Sequence, residues 1–163
     1  MSEICLRPYR SEDAAKILSW CADEKDFYKW TAGVLGSYPL SPEEFDKVKE
    51  RTAFTATEDG EPVGFFIVRQ PGEEPDVLRF GFVIVDSAKR GRGYGKAMLR
   101  EGLRYAKETL GASKVTLGVF ENNSGAYHCY RAVGFREIPQ AKNEVYNVLG
   151  EAWNCIEMEY NYG

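Results

Sequence analysis

The feature that most constrains the fold is a polar, glycine-rich turn, Asp86–Gly95, between a strand pattern and a helix pattern. Val77–Val85 is apolar on both faces towards its end, which predicts a strand buried on both sides. From Lys96 to Leu110 the apolar residues recur at helical spacing. A second strand, Lys114–Val119, follows, and this order favours a right-handed parallel crossover. The sequence therefore predicts an α/β protein.

The rest of the chain extends this prediction to one domain over residues 1–163, since about 150 residues is typical of a single domain. Gly81 inside the predicted strand Val77–Val85 suggests a bulge or a close backbone approach. Pro139–Gly150 is predicted to be a loop or irregular insert. The other predicted strands are Ile4–Arg7, Ala53–Thr57, Val63–Arg69, one beginning at Gly134-Phe135, and Trp153–Glu159. Four other helices are predicted. The first begins at a Ser11 N-cap, the second covers Phe27–Trp30, the third runs from Ser41 to near Glu50 and the fourth covers Ser124–Ala132.

Charge and hydropathy exclude several classes of protein. The net charge of −4 argues against general nucleic-acid binding. The longest apolar runs, Val63–Val68 and Phe80–Val85, are far shorter than a membrane span, and residues 1–10 do not resemble a signal peptide. The four cysteines form no C-x-x-C pair and there is one histidine, so no metal site is predicted and the cysteines are expected to be free, buried thiols. We expect a cytoplasmic protein that binds neither nucleic acid nor membrane.

The turn has the chemistry of an anion site. Unpaired N–H groups and the positive end of the macrodipole meet at a helix N-terminus, and glycines let the backbone present successive N–H groups. Between Asp86 and Arg100 the only acid is Asp86, whereas the bases are Lys89, Arg90, Arg92, Lys96 and Arg100. The alternative is an ordinary glycine turn with solvated charges.

Two common phosphate motifs fail on spacing. A P-loop needs glycine and serine or threonine where this chain has Arg90 and Ala97. The dinucleotide fingerprint needs its third glycine one residue later than Gly95. A nucleotide-binding module is therefore disfavoured.

Two separated motifs identify a resemblance. Arg90, Gly93 and Gly95 match the loop [QR]-x-x-G-x-[GA], and a second set follows at Asn123, Ala126, Tyr130, Gly134 and Phe135. With the intervening helix and strand, residues 77–137 resemble the GNAT superfamily of acyl-CoA N-acyltransferases. The resemblance implies a mixed, mostly antiparallel sheet whose central parallel strands are splayed, with helices flanking it.

The resemblance also implies acetyl-CoA as cosubstrate, with no metal. By similarity, backbone N–H groups of the turn would bind the pyrophosphate, and the pantetheine arm would lie between the splayed strands near Val83 and Val85. Asn123 and Ala126 would border the arm, Asn123 as a hydrogen-bonding group or a helix N-cap. The implied turn residues are Arg90, Gly91, Arg92, Gly93, Tyr94, Gly95 and Lys96.

The implied catalytic groups are an acid and a base. Tyr130 is expected to protonate the leaving thiolate and to contact the cosubstrate, although its spacing also suits a core residue. The places where many family members carry a glutamate base are here Arg79 and Gly118. Glu121, just after the second splayed strand, is the nearest acid and our predicted base. Glu24 and Asp26 are further candidates.

The predicted reaction is transfer of an acetyl group to a primary amine by direct attack on the thioester. The acceptor is either a small-molecule amine or an amine of a protein or peptide, in a pocket that Trp30, Tyr38 and Tyr146 could line. The alternative function is a non-catalytic acyl-CoA sensor that kept the loop and lost its base. A homodimer is possible.

Overall fold

A mixed sheet organises the part of the chain that the computed structural model describes, residues 2–139, 141 and 143–163. The strand order is β1-β2-β3-β4-β5-β8-β6, and β7 pairs with the first half of β8. Only the β4–β5 pair is parallel, so the predicted mixed, mostly antiparallel sheet is confirmed. The strands are β1 Ile4–Pro8, β2 Thr52–Glu58, β3 Glu61–Arg69, β4 Val77–Val85, β5 Lys114–Phe120, β6 Arg136–Glu137, β7 Glu144–Val148 and β8 Glu151–Asn161.

Helices cover both faces of the sheet. Two of them bury apolar side chains such as Met98, Leu99 and Tyr130 against one face. The others bury Ile17, Phe27 and other apolar side chains against the opposite face. The helices are α1 Ala14–Leu18, α2 Glu24–Thr31, α3 Pro42–Phe45, α4 Tyr94–Glu108 and α5 Ser124–Val133, with 3₁₀ turns at Ser11–Asp13, Asp46–Glu50 and Ser87–Lys89. Helices α4 and α5 form the first layer and α1 to α3 the second.

The central parallel strands part halfway along their length. β4 and β5 pair at three positions, the last of which joins Arg79 to Thr116. Beyond it, β4 runs to Val85 and β5 to Phe120 with no further pairing between them. The predicted splayed pair is therefore present, and it opens towards the glycine turn.

A bulge in β4 marks the opening. Gly81 opposes Ile67 and Ile84 opposes Phe65, so two residues of β4 stand against one of β3. Phe82 in the bulge has φ of 49°. Its carbonyl accepts a hydrogen bond of 2.8 Å from Nε1 of Trp30 on α2. The bulge follows Gly81, as the sequence suggested, and α2 holds it in place.

The segment predicted as a loop over Pro139–Gly150 is partly a strand. Glu144–Val148 forms β7, and residues 140 and 142 of the predicted loop lie outside the described residues. The turn to β8 places Leu149 and Gly150 at φ of 51° and 78°, the left-handed pair that suits a two-residue hairpin. A leucine is unusual at the first position of such a turn, so Leu149-Gly150 is not recognisable as a hairpin turn from the sequence.

Two predicted helix starts are also corrected. α4 begins at Tyr94 rather than Lys96, because Gly93, with φ of 86°, already accepts a hydrogen bond from the N–H of Ala97. The first helical segment begins at Ser11 with Arg10 as its N-cap, so Ser11 is its first residue, and Asp13, its third, bonds back to the cap. The Asp13 carboxylate accepts from the N–H of Arg10 at 2.9 Å and is held by the guanidinium of Arg7 at 2.7 Å.

The contact between α4 and the sheet yields a prediction. A Cβ at Gly102 would lie 2.9 Å from the ring of Phe66 and 3.2 Å from that of Phe80, so Gly102→Val should overpack the core. We expect a loss of about 1–3 kcal/mol in the free energy of unfolding, measured by urea denaturation. Glu108→Val, with the same β-branched side chain at an exposed position of α4, is the control. Equal effects of the two variants would contradict this account of the packing.

Candidate active site

The glycine turn ends in a group of unpaired backbone donors. The turn has positive φ at Gly91 (75°) and at Gly93 (86°), conformations that glycine adopts without strain. The backbone N–H groups of residues 91–96 donate no hydrogen bond to any described residue. Three of them belong to the first turn of α4, where the macrodipole adds positive potential. This cluster of donors can bind an anion.

The start of α4 is anchored by Tyr94. Its ring is buried, and its hydroxyl donates to the Glu58 carboxylate of β2 at 2.8 Å. Lys89 and Arg92 lie near the faces of the same ring, at 5.1 and 5.9 Å from its centroid. The side chains of Tyr94 and Arg92 therefore fix the turn, and only their backbone N–H groups remain for the predicted anion.

A cavity of about 570 Å³ runs from this turn to the opening between the splayed strands. Ten of the twelve predicted cofactor-binding residues line it, whereas Arg92 and Tyr94 do not. The predicted base, Glu121, is also absent from the lining. The ten are Val83, Val85, Arg90, Gly91, Gly93, Gly95, Lys96, Asn123, Ala126 and Tyr130. Asp26, Lys29 and Trp30 of α2 close one end, so the cavity joins both faces of the sheet.

Gly95 keeps the cavity narrow. A Cβ there would lie 3.1 Å from Sγ of Cys129 on α5 and 3.6 Å from the side chain of Val85 on β4. The glycine thus lets α4 and α5 approach each other beside the end of β4. Burial raises the pKa of the Cys129 thiol, which keeps it neutral on the cavity wall.

Tyr130 lies at the far end of the cavity. The residue is 6% exposed, and its hydroxyl has no hydrogen-bond partner in the part of the chain that the structure describes. Burial raises the pKa of this phenol well above its ordinary value, so Tyr130 is protonated at neutral pH. The geometry offers a neutral O–H donor to whatever enters the opening between β4 and β5.

Of the three acidic residues predicted as candidate bases, one lines the cavity and two do not. Glu121 is exposed, and its backbone N–H bonds to Asn154, so the structure does not bring its side chain to the cavity. Asp26 does line the cavity, where it lies 3.8 Å from the guanidinium of Arg90. Glu24 is exposed and outside the lining.

Sequence reasoning missed Glu157. It lies opposite Gly118 in the β5–β8 register, and a Cβ at Gly118 would be 2.9 Å from its Oε2 atom. Arg79 donates to both oxygens of Glu157, at 2.7 and 3.1 Å. Burial alone would lower the pKa of Arg79, but the hydrogen bonds to Glu157 raise it overall. Arg79 and Gly118, the two positions where many family members carry a glutamate, thus both lie beside the carboxylate of Glu157 on β8.

The aromatic residues predicted for the acceptor pocket separate into two groups. Trp30 lines the cavity and holds the bulge of β4. Tyr38 packs against Phe27 at a ring distance of 5.6 Å, and Tyr146 packs edge-on to Phe120 at 5.4 Å. Both are half-buried on the face of α1 to α3, outside the cavity lining.

Two features are absent from the described residues, 2–139, 141 and 143–163. No helix in these ranges has the length and apolar character needed to cross a membrane. No set of three or more histidine, cysteine, aspartate or glutamate side chains in them is placed to share a metal ion.

The open parallel pair, the helix-start donors and the connecting cavity define an α/β protein with a groove that begins at a cluster of anion-binding donors. The family model of the Acetyltransferase (GNAT) family matches residues 14–135. The chain belongs to this family, and the resemblance stated from its motifs is confirmed.

Several curated proteins that are similar in sequence to this chain are named as acetyltransferases. An N-alpha-acetyltransferase of Sulfurisphaera tokodaii is 32% identical over 101 residues, which are 56% of this chain and 60% of the relative. The chain matches at most 60% of the length of the curated relatives, and only 31% of a mycothiol acetyltransferase from Rhodococcus erythropolis. Among solved structures, a spermidine N-acetyltransferase from Vibrio cholerae superposes with a TM-score of 0.79 at 16% identity, covering 98% of this chain and 95% of that one. This last likeness shows the fold.

The four cysteines are free, but Cys5 is exposed and the others are half-buried rather than buried. Burial raises the pKa of Cys155, beside Glu157, to about 11. At pH 8 its thiolate fraction should be about two hundredfold below that of a thiol with the ordinary pKa near 8.5. Peptide mapping after brief iodoacetamide treatment should show Cys155 labelled far more slowly than Cys5, with a rate that keeps rising to pH 11. A plateau by pH 9 would contradict the raised pKa.

Proposed function

We propose that the chain is an acetyl-CoA-dependent N-acetyltransferase that moves an acetyl group to a primary amine. The observation that carries this proposal is the cavity that joins the unpaired N–H groups of residues 91–96 to the Tyr130 hydroxyl through the opening between β4 and β5. The donor is an anion at one end, a long polar arm in the middle and a thioester at the other. The family match and the names of the curated relatives support the same activity.

The donor end of the cavity suits a pyrophosphate. The N–H groups of residues 91–96 would donate to its oxygens, and Lys96 and Arg90 would add positive charge. The arm would then lie against β4, where Val83 and Val85 line the cavity beyond the last pairing with β5. Backbone groups left without a strand partner can bind such an arm as they would an added strand. Asn123 and Ala126 would border it from the start of α5.

At the thioester, the amine attacks the carbonyl carbon, a C–N bond forms and the C–S bond breaks. The electron pair of the broken bond goes to sulfur, which accepts a proton from the Tyr130 hydroxyl. Burial raises the pKa of Tyr130, so the phenol holds its proton until the C–S bond breaks, and the strongly basic phenolate formed then takes a proton back from water, which restores the acid for the next turnover. An acid placed in this way contributes about 10²–10⁴ in rate.

The proton lost by the attacking ammonium needs an acceptor. Glu121 remains our proposed base only through a water relay, because its side chain lies outside the cavity lining. Asp26 on the cavity wall and Glu157 beside Gly118 are the carboxylates closer to the opening of the strands. An amine acceptor is supported by two neighbouring structures, one bound to CoA and spermine and the other to CoA and ribostamycin.

Removal of the Tyr130 hydroxyl tests the chemistry. Tyr130→Phe should lower kcat about 10²–10⁴-fold, because the thiolate then leaves without its proton donor. Affinity for acetyl-CoA, measured by calorimetry, should change little. Tyr127→Phe is the matched control, since Tyr127 is on the same helix and donates to Glu137.

Unchanged turnover in Tyr130→Phe would remove this residue from the mechanism. Binding of acetyl-CoA without release of free CoA thiol over a wide panel of amines would support the alternative, a non-catalytic acyl-CoA sensor.

Distortion of the glycine turn tests the donor site. Gly93→Val forces a β-branched residue into φ of 86° and should turn N–H groups away from the pyrophosphate. Loss of one charge-assisted hydrogen bond corresponds to about a 10- to 100-fold weaker affinity for CoA. Gly60→Val, at φ of 83° in the β2–β3 turn, imposes the same strain elsewhere and should leave CoA affinity unchanged. Equal losses in both variants would contradict the proposed pyrophosphate site.

A further inference from the structure

Three arginines form a row across the sheet. Arg69 on β3 opposes Arg79 on β4, and the β2–β3 register, which pairs Thr52 with Val68, puts Arg51 next to Arg69. Cross-strand neighbours share a face of the sheet, and this face is the one covered by α1 to α3. The three guanidinium groups are therefore neighbours, two of them carried by β3 and β4 and the third by the residue that precedes β2. We call them the arginine row.

The row carries charge that the described residues do not neutralise. Like charges directly opposite each other destabilise a sheet. Glu157 pairs with Arg79, but neither Arg51 nor Arg69 has a carboxylate within 4.0 Å among the described residues. Burial and then repulsion by Arg79 and Arg51 lower the pKa of Arg69. An anion in contact with the row would relieve this repulsion.

The row borders the opening of the strands. Arg79 belongs to the last pair of β4 with β5 before the two part. The guanidinium carbon of Arg51 lies 5.6 Å from the ring centroid of Phe82, the bulge residue. Two to three residues of strand separate Arg79 from the bulge, a distance of about 7–10 Å. A small molecule can span this distance with an amine at one end and an anion at the other.

We propose that the acceptor amine also carries an anionic group, a carboxylate or a phosphonate, which Arg51 and Arg69 bind while Arg79 stays paired with Glu157. This inference rests on the proposed N-acetyltransferase function and names its acceptor class, small amino acids and aminoalkylphosphonates. The planar guanidinium donates two parallel hydrogen bonds to such groups, and the unpaired charge draws them to this face. Polycationic amines are repelled by the same charges.

The test compares acceptors that carry the anionic group with acceptors that lack it. A panel of amino acids, each with its carboxamide, together with aminoalkylphosphonates and spermine, is assayed by release of free CoA thiol. We expect kcat/KM for the anionic member of the best pair to exceed that of its amide by about 10- to 100-fold. Comparison of carboxylates with phosphonates identifies which anion is bound.

Variants then test whether the arginine row causes the preference for the anionic acceptor. Arg69→Gln should abolish it mainly through a higher KM for the anionic acceptor, with the KM for acetyl-CoA and turnover of the amide unchanged. Arg69→Lys, which keeps the charge, should restore part of it. Arg104→Gln, an exposed arginine paired with Glu101 on α4, is the control and should behave as the parent chain.

Each outcome of these measurements supports or overturns one part of the proposal. Turnover of amines with no preference for the anionic acceptor, or a preference for spermine, overturns the acceptor class and leaves the proposed function intact. A preference that survives in Arg69→Gln overturns the role of the row. If no amine is turned over but CoA binds, calorimetry of the CoA-loaded chain with the anionic panel decides, and absence of binding overturns the inference. Failure to bind CoA overturns the proposed function itself.

Discussion

The separation of β4 from β5 is the structural constraint on which the site depends. Two parallel strands in the middle of a sheet would ordinarily pair along their length, since buried backbone groups need partners. Here the pairing ends at Arg79 and Thr116, and the strands diverge towards the glycine turn. The divergence leaves room for the cavity and brings the Tyr130 hydroxyl within reach of it. A cosubstrate in this gap would act as the missing strand.

The surrounding structure holds the gap open. On one side, Trp30 fixes the carbonyl of the bulge residue Phe82, which turns β4 away from its neighbour. On the other, β5 stays paired with β8 along its whole length, from Lys114 to Phe120. Each separated strand is thus held by its other neighbour, so the opening does not depend on a bound ligand.

The elements that local sequence signals specify were predicted well, and the features that depend on distant partners were not. The bounds of Val77–Val85 were correct because a largely apolar segment between two polar turns is a local signal that needs no outside information. The role of the Tyr94 side chain as an anchor could not be predicted, because its partner Glu58 lies 36 residues earlier in the chain. Glu157 and the arginine row were invisible for the same reason, since only the strand register places Glu157 over Gly118 and aligns Arg51 with Arg69.

The two proposed binding sites, one for the cosubstrate and one for the acceptor, both differ in charge from the chain as a whole. The chain as a whole carries −4, yet both the glycine turn and the arginine row are locally positive, one on each face of the sheet. A positive donor site follows from any phosphate-bearing cosubstrate. A positive acceptor site does not follow from an amine, whose own charge it would repel at a few ångströms. In the proposed acceptor site, the anionic group of the acceptor offsets the charge of the row, so the amine of the same molecule is not repelled. The row would then select an acceptor that carries both groups, whereas an amine without an anion would gain nothing from it.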